Sequence, residues 1–170
     1  MQIDFEKLWA IAIKEPTLLS PETTAHGSDH WRRVERNGLI LSTRTGAIVE
    51  IVRLFAIFHD IRRVNDDFDP EHGLRGAEFA AAKRGEWFEL PDDHFELLYE
   101  ACVGHTDNRH HEDPTIGTCW DADRLDLGRV GIIPSPDYMS TIFAAEIAEY
   151  GLIGPWLHLA HTASSHIQQS

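Results

Sequence analysis

Apolar residues recur at a spacing of three or four positions along nearly the whole chain, and no segment shows the strict alternation of a β-strand. The spacing predicts seven helices, at about residues 4–14, 28–45, 47–62, 69–85, 92–105, 113–127 and 137–150. The third helix is apolar on most of its sides, which favours a central position. The chain is therefore predicted to be all-α, a single-domain helical bundle of about seven helices that takes in residues 1–170.

Capping residues support most of the predicted helix starts. Asp69-Pro70 and Asp113-Pro114 each combine an N-cap residue with a proline at the first helical position. The expected caps of the first, second and fifth helices are Asp4, Ser28 and Asp92.

Composition narrows the classes of partner and location. The formal net charge is −13, so most of the surface would repel a long nucleic acid, whereas a small anion could still bind where cations cluster. Glu50 and Arg53 interrupt the most apolar segment and argue against a membrane span, and the N-terminus does not resemble a signal peptide. Two cysteines, Cys102 and Cys119, are too few for a disulfide framework, so a cytoplasmic location is expected.

Several side chains that can bind metals fall on apolar faces of the predicted helices. Asp123 lies on the apolar stripe of the sixth helix, whereas Asp121 lies well away from that stripe. His105 and His30 lie on the apolar stripes of the fifth and second helices. The apolar residues of these three stripes are Ile116, Trp120 and Leu127; Phe95, Leu98 and Cys102; and Val34, Gly38 and Leu41.

Two further helix ends carry metal-competent residues. The stretch FAIFHDIRR places His59 and Asp60 where the apolar third helix ends. His72 falls in the first turn of the fourth helix, where the helix dipole disfavours a protonated imidazole, and the neutral form is the one that binds metal.

Each of these residues also has an ordinary explanation. A single inward histidine is more often a hydrogen-bonded core residue, Asp123 could pair with a buried arginine, and His72 could be exposed near a helix cap. A buried, unpaired carboxylate is nevertheless costly. Because histidine and aspartate together supply the N/O ligands of divalent transition metals, their joint occurrence favours a metal site.

The order of these residues, H…HD…H…H…D, resembles that of the HD-domain superfamily of metal-dependent phosphohydrolases. The resemblance covers about residues 26–130, the motif-bearing core, and leaves 135–170 as a helical C-terminal extension. The segments that carry it are HWRRV with His30, similar to the family's H-x-x-R-V, the doublet His59-Asp60, HGLRGAEFA with His72, ACVGHT with His105, and DADRLD with Asp123, similar to the family's A-D-R/K-L.

The resemblance implies an all-α fold around one or two divalent transition metals (Mn, Fe, Co, Ni or Zn), and no organic cofactor is evident. The residues that would hold the first metal are His30, His59, Asp60 and Asp123. A second metal would be held by His72 and His105 and bridged by Asp60. If only one metal binds, His72 and His105 would instead contact phosphate or relay protons.

One departure from the family pattern concerns the residues after the doublet. Many members have x-G-K there, whereas this chain has Ile61-Arg62-Arg63. Arg63 occupies the lysine position and is expected to touch a phosphate, while Arg62 in place of glycine implies a different local turn. Arg33, Arg75 and Arg124 are weaker phosphate-binding candidates, and surface salt bridges are favoured for Arg33 and Arg75.

The preferred function is hydrolysis of a small phosphate ester, such as a nucleotide, by a metal-activated water. The catalytic residues would be Asp60, His72, His105 and Arg63. Two alternatives stay open: an HD-type di-iron oxygenase acting on a small polar substrate, and a non-catalytic metal-bound ligand sensor. The expected partner is a small phosphorylated substrate, with no membrane and no long nucleic acid.

The remaining histidines are expected to matter less. His26 precedes the second helix and could contact the metal ligands from outside. His110 and His111 lie in a charged loop. The tail histidines 158, 161 and 166 lack a fourth metal ligand. The apolar tail with Trp156 and Leu157 could dock on a partner subunit, to form a homodimer, or on its own domain.

Overall fold

The computed structural model describes residues 3–16, 19 and 24–160. Within this part of the chain the structure contains α-helices and short 3₁₀ turns but no β-strand, which confirms the all-α prediction. The helices are α1 (Phe5–Ala12), α2 (Ser28–Thr45), α3 (Val49–Phe58), α4 (His72–Lys83), α5 (Asp92–Gly104), α6 (Pro114–Arg124) and α7 (Ile142–Tyr150).

Helix α3 lies at the centre, as its apolar sequence predicts. It packs against α2, α4, α5 and α6, and the side chains from Leu54 to Phe58 are inaccessible to solvent. Full burial of one such side chain is worth about 1.5–3 kcal/mol, so α3 contributes substantially to the stability of the core. The four residues predicted to face inward from α1 are also buried: Phe5, Leu8, Trp9 and Ala12.

Two of the predicted caps are confirmed. The Asp4 carboxylate accepts a hydrogen bond from the Lys7 N–H at 3.0 Å, and Asp113 accepts hydrogen bonds from Thr115 and Ile116 at 2.8 and 3.1 Å. Pro114 opens α6 directly after this cap.

Three other predicted caps are wrong. Ser28 and Asp92 are the first residues of their helices, behind Gly27 and Pro91. Asp69 does not cap α4, which begins at His72. Its carboxylate instead accepts hydrogen bonds from Arg75 and the Val64 N–H.

Helix α3 ends at Phe58, four residues before the predicted end at Arg62. Helix α4 crosses this point so closely that a Cβ on Gly76 would lie 2.2 Å from the Phe58 carbonyl oxygen. Helix α4 therefore packs directly on the C-terminal end of α3. His59 and Asp60 lie in the turn that follows this end.

Asp121 is buried, although the apolar stripe of α6 predicted that it would point away from the core. It lies off that stripe but is completely buried, because the segment before α7 covers this side of the helix. Its carboxylate accepts hydrogen bonds from the Ser140 N–H, the Thr141 N–H and the Thr141 hydroxyl at 2.7–2.8 Å. Burial raises the pKa of the Asp121 carboxyl, although these donors oppose the rise. The contact fixes the start of α7, which Thr141 caps.

None of the described helices is both long and apolar enough to cross a membrane.

Candidate metal centre

The six residues predicted to bind metal come together at one end of the bundle. Each comes from an end of a helix: His30 from the first turn of α2, His59 and Asp60 from the residues after α3, His72 from the start of α4, His105 from the residue after α5, and Asp123 from the last turn of α6. Five of the six residues are buried, and the Asp123 side chain is 18% exposed.

The first group consists of His30, His59 and Asp123 with one oxygen of Asp60. The Nε2 atoms of His30 and His59 lie 3.1 Å apart, and His30 Nε2 lies 3.2 Å from Asp123 Oδ1. Asp60 Oδ2 is 3.6 Å from the Nε2 atom of each histidine. Four N/O ligand atoms thus surround one small volume, as a divalent metal requires.

The second group consists of His72 and His105 with the other oxygen of Asp60. Their Nε2 atoms lie 2.9 Å apart, and Asp60 Oδ1 is 3.3 Å from His72 Nε2 and 3.9 Å from His105 Nε2. Asp60 therefore faces one histidine pair with each carboxylate oxygen. This is the arrangement that a bridging ligand of two metals would need.

Asp60 Oδ1 gives a further reason to expect a cation at this site. Among the described residues it is a buried side-chain oxygen that accepts no hydrogen bond. Buried polar atoms nearly always have a partner, and a carboxylate oxygen without one is strongly destabilising. A metal ion at the second group would satisfy this oxygen, so the residues present fit the cofactor.

Hydrogen bonds donated by Nδ1 fix the direction in which four histidines, His30, His59, His72 and His105, present Nε2. The Nδ1 atoms of His59, His72 and His105 face main-chain carbonyl oxygens of Phe55, Asp69 and Cys102, respectively. The Nδ1 atom of His30 lies 2.7 Å from the Asp126 carboxylate. Carbonyl and carboxylate oxygens accept hydrogen bonds, so each Nδ1 must donate, and a neutral ring then turns an unprotonated Nε2 toward the cluster.

The electrostatics of the cluster suit cation binding. Burial lowers the pKa of His59 to about 3, so this ring stays neutral and available as a ligand. Burial also lowers the pKa of His72, and the neighbouring His105 lowers it further. Burial opposes ionisation of Asp60 and Asp123, but the surrounding histidines outweigh it and hold the pKa of both carboxyls well below the usual range. The aspartates are thus anionic ligands.

Two glycines of the segment HGLRG allow α4 to approach the cluster. A Cβ on Gly73 would lie 2.3 Å from the Cys102 carbonyl oxygen, and a Cβ on Gly76 would lie 2.2 Å from that of Phe58. Any larger residue would push α4 away from α5 and from the end of α3. The two glycines therefore place His72 within reach of His105.

Two residues support the cluster from outside. Asp126 holds the His30 ring through Nδ1. It lies in the segment DADRLD three residues after Asp123 but beyond the end of α6, so the apolar stripe of that helix gave no sign of its role. His26, which was expected to make such a contact, lies with its Nδ1 2.9 Å from Asp60 Oδ2. Such outer partners orient the ligands of metal sites and raise their affinity.

The candidate arginines lie in different environments. Arg63 Nη1 lies 3.6 Å from Asp60 Oδ1 and 3.2 Å from His72 Nε2, at the second group. Arg33 pairs with Asp126, and Arg75 pairs with Asp69, as their salt-bridge interpretation predicts. Arg124 instead donates to main-chain carbonyls, including those of Arg109 and Tyr138, so its role is structural.

A cavity of about 340 Å³ opens beside the cluster. Asp60, Arg63 and His26 line its polar side, and Ile13, Ala12, Pro16 and Trp31 line its apolar side. Its size falls within the range of small-molecule sites.

The remaining histidines do not join this centre. His110 Nε2 and the His158 ring face main-chain carbonyls at exposed positions, and His111 Nε2 lies 3.2 Å from Glu100. His161 and His166 lie outside the described residues.

No protein-family model matches the sequence, and no curated protein matches it. Among solved structures, the fold is similar to the crystal structure of a predicted HD superfamily hydrolase from an uncultured Thermotogales bacterium. The two chains are 20% identical, with a TM-score of 0.65 over 98% of this chain and 91% of the other. The similarity shows that this chain has the fold of that protein.

Proposed function

We propose that this chain is a metal-dependent phosphohydrolase of the HD superfamily that acts on a small phosphate ester. The observation that carries the proposal is the position of Asp60, which faces a histidine pair with each of its two oxygens. The order of the ligands along the chain and the shared fold support it.

The residues of the first group, His30, His59, Asp60 and Asp123, would hold one metal, and Asp60, His72 and His105 would hold a second. When bound, such a metal lowers the pKa of a coordinated water to about 7 and polarises a phosphoryl oxygen. The ion would be Mn, Fe, Co, Ni or Zn, because imidazole and carboxylate ligands suit each of them.

Arg63 is suited to orient the substrate's phosphate. Its Nε and Nη2 donate to the carbonyls of Asn65 and Asp67, so the guanidinium is held in one position. The Nη1 atom faces the second group. A fixed guanidinium binds phosphate at little entropic cost, because its geometry is already set.

The cavity beside the cluster suits a small ester with an apolar or aromatic body. Trp31 and Ile13 form its apolar wall, and its lining contains two cations, Lys14 and Arg63, alongside the carboxylates of Glu15 and Asp60. We therefore expect a mononucleotide or a similar phosphate ester, with its phosphate toward Asp60 and its body against the apolar wall.

The proposal is tested by measuring phosphate release from a panel of nucleoside monophosphates and simple aryl phosphates with Mn, Co, Fe, Ni or Zn. Wild-type protein should hydrolyse at least one ester, and Arg63→Met should lower kcat/KM about tenfold or more. Arg84→Met is the matched control, because Arg84 also donates to a main-chain carbonyl, that of Leu90, and to the Asp92 carboxylate, and it lies outside both the cluster and the cavity. Absence of hydrolysis with every metal, together with substrate-dependent oxygen uptake by the iron form, would replace this proposal with an oxygenase.

A further inference from the structure

A second cavity, of about 500 Å³, lies near Asp126, outside the metal centre. It is bounded by α2, by the chain after α6 and by the end of α7, and it is partly open to solvent. Its apolar wall is formed by Leu125, Pro134, Ile147, Ala148, Leu152 and Ile153.

Cations outnumber anions in the lining. Arg33, Arg36 and Arg129 contribute three guanidinium groups, against the single carboxylate of Asp126. The chain as a whole has 28 acidic and 15 basic residues, so a shortage of carboxylates does not explain this local excess. Positive charge concentrated in a concave site attracts anions.

Arg36 is the least compensated of these cations. Its Nε and Nη2 both donate to the Asn37 side-chain oxygen, and it pairs with no carboxylate among the described residues. Burial lowers the pKa of Arg36, and the nearby Arg33 lowers it further against the opposing effect of Asp126. A half-buried guanidinium beside a second one is stabilised by an anion placed between them.

Arg33 also has N–H donors that are available to a ligand in this cavity. Its Nε donates to Asp126 Oδ1 at 2.7 Å, while its two terminal nitrogens make no hydrogen bond within the described part of the chain. Arg129, in contrast, is largely committed, because it donates to the carbonyls of Ala25 and Asp126. The free donors of the cavity are therefore those of Arg33 and Arg36.

We propose that this cavity binds an organic anion with a compact acidic head and an apolar body, and that it is an effector site for the metal centre. The head would pair with Arg33 and Arg36, and the body would cover Leu125, Ile147 and Ile153. A carboxylate or a phosphate head has the required chemistry.

The connection to the metal centre runs through Asp126. One of its oxygens accepts from Arg33, and the other lies 2.7 Å from His30 Nδ1. An anion that pairs with Arg33 competes with Asp126 for its guanidinium. This competition changes how firmly Asp126 holds the His30 ring, and therefore changes the affinity for the metal. This coupling rests on the proposed metal centre, whereas binding of the anion does not.

Binding is tested with the full chain in EDTA, using 8-anilinonaphthalene-1-sulfonate as a fluorescent amphipathic anion and displacing it with other compounds. Octanoate and octyl phosphate should displace the dye, and their relative strengths distinguish a carboxylate from a phosphate ligand. Octanol lacks the acidic head and inorganic phosphate lacks the apolar body, so both should be weak competitors. Failure of octanoate and octyl phosphate to displace it would overturn the proposal.

Charge variants locate the site. Arg36→Gln should weaken the binding of octanoate or octyl phosphate about tenfold or more, since it removes a charge-assisted contact. Leu152→Glu should also weaken the binding of both compounds, because it adds a negative charge to the lining. The matched controls are Arg44→Gln, whose parent side chain is 55% exposed elsewhere on α2, and Leu157→Glu, outside the cavity. Equal losses in variants and controls would show non-specific surface binding and overturn the assignment.

Coupling is tested by titrating Mn²⁺ with and without saturating octyl phosphate or octanoate. Linkage requires that the anion change the Mn²⁺ affinity by the same factor by which Mn²⁺ changes the anion affinity. Asp126→Asn removes the one carboxylate of the lining and frees Arg33, so it should bind the anion at least as tightly as the wild type but lose this reciprocal factor. A Mn²⁺ affinity that the anion does not alter would overturn the effector role, and failure of Mn²⁺ to bind at all would instead count against the proposed function.

Discussion

His72 and His105 turn their Nε2 atoms toward each other at 2.9 Å, although the Nδ1 atom of each ring faces a main-chain carbonyl. In neutral rings with this tautomer, two nitrogen lone pairs face each other with no hydrogen between them. At the first group the Nε2 atoms of His30 and His59 lie 3.1 Å apart. Burial opposes protonation of His30, but its hydrogen bonds to Asp123 and Asp126 raise its pKa, so a metal there competes with a proton. A cation bound between the nitrogens removes the repulsion, which is why we interpret the cluster as a metal centre.

Metal binding should stabilise the folded chain. At a metal concentration 100 times the Kd, the stabilisation is about 2.7 kcal/mol, or an increase in Tm of roughly 5–10 °C for a chain of this size. Thermal unfolding of EDTA-treated protein with and without added Mn²⁺ measures it. The His110→Ala, His158→Ala double variant should show the same increase, because neither histidine contacts the cluster. A Tm that no divalent transition metal changes would contradict this prediction.

Asp126→Asn should weaken metal binding about 10- to 100-fold, because the carboxylate that holds the His30 ring is lost. Isothermal titration with Mn²⁺ or Zn²⁺ measures the change. Asp137→Asn removes the same charge at an exposed position and should have wild-type affinity. If the two variants bind metal equally well, Asp126 does not orient His30.

Gly76→Ala should destabilise the protein by about 1–3 kcal/mol and reduce its metal content. The added Cβ would lie 2.2 Å from the Phe58 carbonyl oxygen, so α4 must shift away from the residues that follow α3. Gly128→Ala is the control, since no atom lies within 4 Å of its Cβ position. Chemical denaturation and metal analysis of both variants would show whether α4 has this close contact. A stable, metal-replete Gly76→Ala protein would show that it does not.

Asp121→Asn should lower stability while leaving metal affinity unchanged. The amide has one acceptor oxygen and two N–H donors, so it cannot serve the three donors that Ser140 and Thr141 direct at the carboxylate. We expect a loss of about 1–3 kcal/mol in the free energy of unfolding, measured by urea denaturation. Asp107→Asn, at an exposed position, should be neutral. A loss of metal affinity equal to that of Asp126→Asn would mean that Asp121 also supports the cluster.

The periodicity of apolar residues predicted the helices well because each has a continuous buried face. It failed where tertiary contacts set the ends. The crossing of α4 over Phe58 shortens α3, and Thr141 caps α7, so this helix starts at Ile142 and not at Asp137. Asp121 could not be recognised as buried, since the segment that covers it comes from a later part of the chain.

The candidate ligands could be named from the sequence because each lies at a helix end or on an apolar face, and because their order resembles a known family. Their distances could not be predicted, nor could the division of Asp60 between two histidine pairs. The cavity beside Arg36 was also beyond prediction, because its wall combines three separate parts of the chain.

The central claim is that these imidazoles and carboxylates surround a divalent transition metal. Elemental analysis of purified wild-type protein, alongside the His59→Ala, Asp60→Ala double variant, tests it most directly, with circular dichroism as a check on folding. We predict one or two equivalents of metal in the wild type and nearly none in a variant that stays helical. Equal metal content in the two proteins, or a wild type that stays metal-free in every cation supplied, would contradict the account.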